Sequence, residues 1–248
     1  MNNVLNFNSF LKFLSKNKAY TAIDVFGLSI SLMFVILITV YTAQELATDK
    51  FHENRDRIYV IGNEEGPATA LPIPYRLQDR YPEIEKVCPV IAGYFNNWQV
   101  FYGDKKLKAS MTCVDSTFFD FFSFKLLEGN RHQALQDRYN AVVSKTFANK
   151  MFGQDDPMGK SIRISDSTSV IVTGVIEDIR KSVLPPSDIL IRIERVGEFN
   201  GGLTKTSYNN AGATAGFLML HEGADLRGKI DDIHEFFKES FWPYQIDV

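Results

Sequence analysis

The stretch Val25–Ala43, VFGLSISLMFVILITVYTA, runs nineteen residues without a charge, and nothing later in the 248-residue chain approaches it. Wound as a helix at about 1.5 Å of rise per residue, such a run is about 30 Å long, the thickness of the hydrocarbon core of a bilayer. It reads as a single membrane span near the N-terminus, with everything after Ala43 on one side of the membrane. The later uncharged stretches, around Val87 to Gly103 and Thr206 to Leu220, are broken by Asn, Gly or Pro and are too polar to span.

The flanks set the orientation. Lys12, Lys16 and Lys18 precede the span with no acid before Asp24, whereas Glu45, Asp49, Lys50, Glu53, Arg55, Asp56 and Arg57 follow it with mixed sign. Positive charge is retained in the cytoplasm, so the N-terminus is expected inside and the large portion outside. A cleaved signal peptide shares the basic start and apolar run. The run is long for one, and Tyr41 stands two positions before Ala43, where a small residue is wanted. Val4, Phe7, Leu11 and Leu14 recur at helical spacing, which suits an amphipathic helix over residues 1–20 lying in the interface or packed on other protein. Residues 21–47 are then the span and its outward extension, and residues 48–248 the external domain. Gly27 and Ser31, four apart, put two small residues on one helix face where another membrane helix could approach.

Twenty Phe and ten Tyr give the external portion ample material for a core, in one large domain or two subdomains. A net charge of −3 and a pI near 5.8 offer no basic field for nucleic acid. The pattern is α+β without regular strand–helix alternation. Strands are expected at RIYVIG (57–62), Val87–Tyr94, Trp98–Tyr102, Leu107–Val114, SIRIS and SVIVTGVI as a hairpin, and GFLML. The turn between the third and fourth is placed on residues 103–106. Helices are expected from Pro74 to Arg80, from Lys145 to Phe152 between a Ser144 cap and a left-handed Gly153, and after Asp225 with Leu226, Ile230, Ile233, Phe237 and Phe241 on one face. The aromatic run FFDFFSF (118–124) reads as a core plug, and residues 197–216, rich in Gly, Asn, Ser and Thr, as a mobile loop.

Catalytic patterns fail one by one. Gly153 to Ser161 ends in Gly-Lys-Ser, but five residues separate the glycines where a phosphate-binding loop needs four. A helix precedes this stretch and a strand follows it, the reverse of that loop, and Asp155 and Asp156 would repel phosphate. The four histidines lack metal-binding spacing, and no nucleophile stands beside a base. No enzyme activity, cofactor or metal is therefore expected. Cys88 and Cys113 lie where disulfides persist, in strands flanking WQVFY, and are read either as two buried thiols or as a bridge.

Several segments resemble the MacB/FtsX family of ABC transporter permeases. They are KNKAYTAIDVFGLSISL before and within the span, QELATDKFHENRDRIYVI after it, and Val114-Asp115 through Phe118, Phe119 and Phe122 to Leu127-Glu128-Gly129. The match continues through Ala141–Ser144, Ala148, Phe152-Gly153, Asp156-Pro157-Met158-Gly159-Lys160 and Val172-Thr173-Gly174-Val175. The resemblance marks Asp115, Phe118, Phe119, Gly129, Ser144, Phe152, Gly153, Asp156, Pro157, Gly159, Lys160 and Gly174 as positions that set the fold. It implies a first helix leading into a periplasmic core domain at the inner membrane, a dimeric or paired permease, and a separate ABC ATPase whose work is transmitted outward. The cargo stays open between peptide, drug, lipoprotein and none. The family pattern continues into three further membrane helices, and the chain stops at Val248 before them, so it is expected to be the N-terminal part of a permease. A single-span periplasmic sensor and a tethered scaffold are the alternative readings.

Overall fold

The structure, a computed structural model, describes residues 12, 14–62, 66–165, 168–180, 182–199, 204, 206 and 214–240. Most of the amphipathic segment expected over residues 1–20, most of the loop expected at 197–216, and Phe241 lie outside them. Contacts divide the chain into two units, Met1–Thr48 and Asp49–Val248.

The first unit contains α1 (Lys18–Ala47), thirty residues in one helix and about 45 Å long. No residue of α1 is buried, in keeping with an apolar surface that water does not cover. Three hydroxyls of the apolar run are satisfied within the helix: Ser29, Ser31 and Thr39 donate to the carbonyls of Val25, Gly27 and Val35 at 2.7, 2.9 and 2.7 Å. A polar group in hydrocarbon must find its partner in this way. The helix ends at Thr48, whose backbone is extended, and Asp49 then adopts a left-handed φ of 56°.

The second unit follows in the order β1 (Ile58–Ile61), α2 (Ile73–Arg80), β2 (Ile84–Tyr102), β3 (Lys105–Val114), α3 (Phe118–Phe121), β4 (Leu126–Gly129), β5 (Asn140–Ser144), α4 (Lys145–Phe152), β6 (Ser161–Arg163), β7 (Ser169–Ile176), β8 (Ile189–Arg192), β9 (Ala215–Leu220) and α5 (Ile230–Ser240). The strands form one sheet in the order β1-β9-β2-β3-β8-β5-β7-β4, and β6 pairs with both β2 and β7. The β3–β8 and β5–β7 pairs are parallel, the others antiparallel. Through β6 the pairing closes on itself: β2, β3, β8, β5, β7 and β6 enclose a core of Ile91, Met111, Ile162, Val172 and Ile191, into which α4 inserts Phe147 and Met151. A second core on the other side of the sheet gathers Phe118, Phe121, Phe122 and Phe124 against Val90, Val142 and Phe217. A third joins α2 and Phe236 and Phe237 of α5 to Ile84, Leu218 and Leu220. Of the two arrangements left open, one large domain or two subdomains, residues 49–248 form one compact unit in which a single continuous sheet supplies the walls of all three cores.

Several local expectations change. The two strands placed at 87–94 and 98–102 are one strand, β2, irregular between Ile91 and Trp98, where Gly93 (φ 82°) and Asn97 (φ 61°) are left-handed. Residues that ordinarily make turns act here as bulges. They redirect the strand so that its first half pairs with β9 and Phe101 reaches Arg163 of β6. The following turn is only Gly103-Asp104, since Lys105 already pairs with Tyr102. On α5 the packed face is Phe236, Phe237 and Ile233, whereas Ile230 is exposed. A 3-10 turn at Arg227–Lys229 precedes the helix, and Asp225 Oδ1 accepts from Arg227 N at 2.9 Å. Cys88 and Cys113 are free, fully buried thiols. They point into the second and first cores respectively, on opposite sides of the sheet, so the bridge is not made.

Candidate functional site

The residues that directly follow α1 are built into the domain by the side chain of His52, which is 4% exposed. Its ring lies against Phe51, Phe122 and Phe124, with centroids 4.0, 5.3 and 5.1 Å away. The backbone N–H of Ser123 donates to Nδ1 at 2.9 Å, which leaves the proton on Nε2 to be donated to Asp49 Oδ1 at 3.1 Å. The other carboxylate oxygen, Oδ2, accepts from the backbone N–H of Val183 at 2.8 Å. Around this centre Glu53 N donates to Ser123 Oγ at 3.0 Å, and Asn54 Nδ2 donates to the Asp120 carbonyl at 3.0 Å. Arg57 pairs with Glu85 at 2.9 Å and reaches the Leu220 carbonyl. Burial lowers the His52 pKa below its ordinary value, and the charge and hydrogen bond of Asp49 offset this only in part. The cluster clamps residues 49–57 to the aromatic plug and to the loop at Val183.

The aromatic plug owes its position to Asp115, at the end of β3. Asp115 Oδ1 accepts from Ser116 Oγ, Thr117 N and Thr117 Oγ1 at 3.0, 3.2 and 3.3 Å, and Oδ2 accepts from Tyr75 OH at 2.5 Å. This buried carboxylate turns the chain into α3, where Phe118 and Phe119 are buried. Burial first, then the Asp115 charge, raise the Tyr75 phenol well above its ordinary pKa, so it remains a donor.

The other residues marked by the resemblance gather around α4 and the turn after it. Ser144 Oγ accepts from Phe147 N at 3.1 Å as the N-cap, and Gly153 ends the helix with φ 70°. Asp156 Oδ1 accepts from Met158 N at 2.8 Å, the Pro157 carbonyl accepts from Lys160 N at 3.2 Å, and Gly159 N donates to the Val172 carbonyl at 2.8 Å. The Lys160 ammonium lies over the rings of Phe152 and Tyr102, 5.1 and 5.4 Å from their centroids, and 3.4 Å from Asp155. Gly129 faces Gly174 across β4 and β7, where a Cβ on Gly129 would stand 2.5 Å from the Thr173 carbonyl oxygen. Gly174 is hemmed by Leu126, Val142 and Ala134. The marked residues therefore form two structural clusters and no single pocket. Among the described residues, no group of three or more His, Cys, Asp or Glu side chains could hold a metal.

Sequence reasoning missed Asp49, His52 and Ser123. The available signal was an Asp and a His three apart, directly after the membrane run and inside a segment already marked by resemblance.

One apolar helix of membrane-spanning length followed by a β-rich α+β domain is the make-up of a membrane-tethered domain. The profile of the MacB-like periplasmic core domain matches residues 21–228, and the chain belongs to that family, found in permeases of ABC transporters. Similar folds occur in solved structures. A domain assigned to a permease of Porphyromonas gingivalis has a TM-score of 0.60 at 20% identity, over 76% of this chain and 86% of that one. The periplasmic region of MacB from Actinobacillus actinomycetemcomitans has a TM-score of 0.52 at 14% identity, over 73% and 81%. The extracellular domain of the noncanonic ABC-type transporter YknZ from Gram-positive bacteria has a TM-score of 0.51 at 14% identity, over 73% and 91%. No curated protein matches the chain.

Proposed function

We propose that this chain is the N-terminal part of a MacB/FtsX-type permease, seated in the inner membrane with its N-terminus in the cytoplasm and residues 48–248 outside. It does no chemistry itself. It couples ATP hydrolysis by a separate ABC ATPase subunit to movement of the external domain, in a homodimer or paired permease whose helices meet at the face of Gly27 and Ser31.

The observations that carry this reading are the unbroken helix from Gly27 to Ala47 and the hold on the chain at His52, five residues further on. Beyond Gly27 the helix holds neither glycine nor proline, and it runs through Gln44-Glu45-Leu46-Ala47 without a break. Five residues after Ala47 the chain is already held at His52. A continuous helix transmits displacement because its ends move together, and a buried clamp delivers that displacement to the domain, whereas a flexible linker would decouple the two.

The test is to insert four to six Gly/Ser residues after Ala47 in the complete permease. Expression, assembly and basal ATPase activity are expected to survive, and the transport or resistance phenotype to vanish. Full activity of the insertion variant would overturn the coupling.

A further inference from the structure

Beside the His52 clamp lies an open hollow of about 180 Å³, lined chiefly by Ile58, Tyr59, Val60, Phe122, Val183 and Phe217, with Asp49, His52 and Arg55 at one end. Its rim carries large apolar side chains left in water: Val183 is 57% exposed, Val60 49%, Tyr59 48%, and the neighbouring Phe51 45%. Tyr59 and Val60 belong to β1, which stands at the end of the sheet and pairs, among the described residues, with β9 alone. The acid at the rim is spent internally, since Asp49 accepts from both His52 and Val183 N. Lys50 and Arg55 remain beside the apolar rim; Arg55 donates to the Lys50 carbonyl at 2.7 Å and stands 3.5 Å from Asp56.

Chain length bounds where this hollow can be. The uncharged run ends at Ala43, four residues before the end of α1, which is about 6 Å of helix. Asp49 follows two residues later, and even a fully extended chain adds only about 3.5 Å per residue. The rim therefore begins within about 15 Å of the hydrocarbon edge, a distance to which the headgroup layer contributes several ångströms. Exposed aromatic and aliphatic side chains with lysine and arginine beside them are the composition that partitions into such an interface.

Building on the reading of α1 as a membrane span, we infer that this hollow is a lipid-contact surface: Phe51, Tyr59, Val60 and Val183 engage the interface of the outer leaflet, and Lys50 and Arg55 face its phosphates. The external domain then has a second, non-covalent hold on the membrane beside its tether, at the same residues that the His52 clamp organises.

The two native thiols are fully buried, so a single introduced cysteine can be labelled selectively. The full chain, reconstituted into vesicles of phosphatidylethanolamine and phosphatidylglycerol, carries an environment-sensitive fluorophore on Val60→Cys or, as a control, on Asp104→Cys in the β2–β3 turn. Headgroup-nitroxide lipid is expected to quench the label at position 60 several-fold more strongly than at position 104, and adding Val183→Asp is expected to abolish the difference. Three results would overturn the inference: equal, solvent-like emission at both positions; a blue-shifted label at position 60 that lipid nitroxide does not quench, which would indicate a protein partner; or quenching that Val183→Asp leaves intact. Flotation of the same sample separates the two layers of the reading. A chain that floats with the vesicles but is not quenched loses only the lipid-contact surface, whereas a chain that does not float loses the membrane span as well.

Discussion

His52 is held neutral by its surroundings: the Ser123 N–H occupies Nδ1, so a second proton can enter only by breaking that bond inside an aromatic enclosure. Because its folded pKa lies below the ordinary 6.5, the unfolded chain binds the proton first as the pH falls. The stability contributed by the neutral ring is complete above that value and is lost progressively on acidification towards the lower, folded pKa. Melting temperatures measured from pH 7.5 down to pH 5 should therefore fall for the wild type, and the fall should be shallower in His52→Asn; parallel slopes would contradict this role. Two glycines make a second comparison at this scale. A Cβ at Gly153 meets nothing within 4 Å, so Gly153→Ala costs only the backbone strain of φ 70° and ψ −115°, about 1–3 kcal/mol. Gly129→Ala adds a collision with the Thr173 carbonyl to a φ of 98° and should be the more destabilising of the two in denaturant titration. Equal midpoints would mean that β4 and β7 do not approach as closely as described.

At the level of elements, the legible parts were those whose signals are local. Ser144, the amphipathic run to Phe152 and Gly153 defined α4 from end to end, because cap, period and terminator all lie within ten residues. β8 left no such trace. Its four residues are buried on both faces, so Ile189-Leu190-Ile191 shows no alternation, and only its place between β3 and β5 makes it a strand. β5 was noticed as a family segment but not as a strand for the same reason. β2 was cut in two because Gly93 and Asn97 are turn formers by propensity, and only long-range pairing holds them in a strand: β3 on both sides of the irregularity, with β9 at one end and β6 at the other. The turn after α4 yields a prediction of its own. With Lys160 packed on Phe152 and Tyr102, it offers no cradle for phosphate, so nucleotide titration by calorimetry should be flat. Saturable binding that disappears in Lys160→Ala would overturn that reading of the turn. Ser144→Ala should lower stability by about 1 kcal/mol through loss of the cap, without effect on any ligand.

For the whole molecule, the membrane run and the α+β character could be read from composition and period, but the number of units could not. One sheet closed through the brief β2–β6 pairing makes residues 49–248 one unit, and a pairing between residues 101 and 163 leaves no local mark to decide between one domain and two. The clamp at His52 was hidden for a similar reason, since its partners Ser123 and Val183 are far along the chain. The central claim is that one helix tethers this MacB-like domain on the outer face of the membrane, and side-specific proteolysis tests it most directly. Protease added to intact spheroplasts is expected to digest the domain, releasing the peptide that contains Trp98, and to leave an anchored N-terminal stub. Protection of the Trp98 peptide until the membrane is permeabilised would place the domain inside and contradict the account.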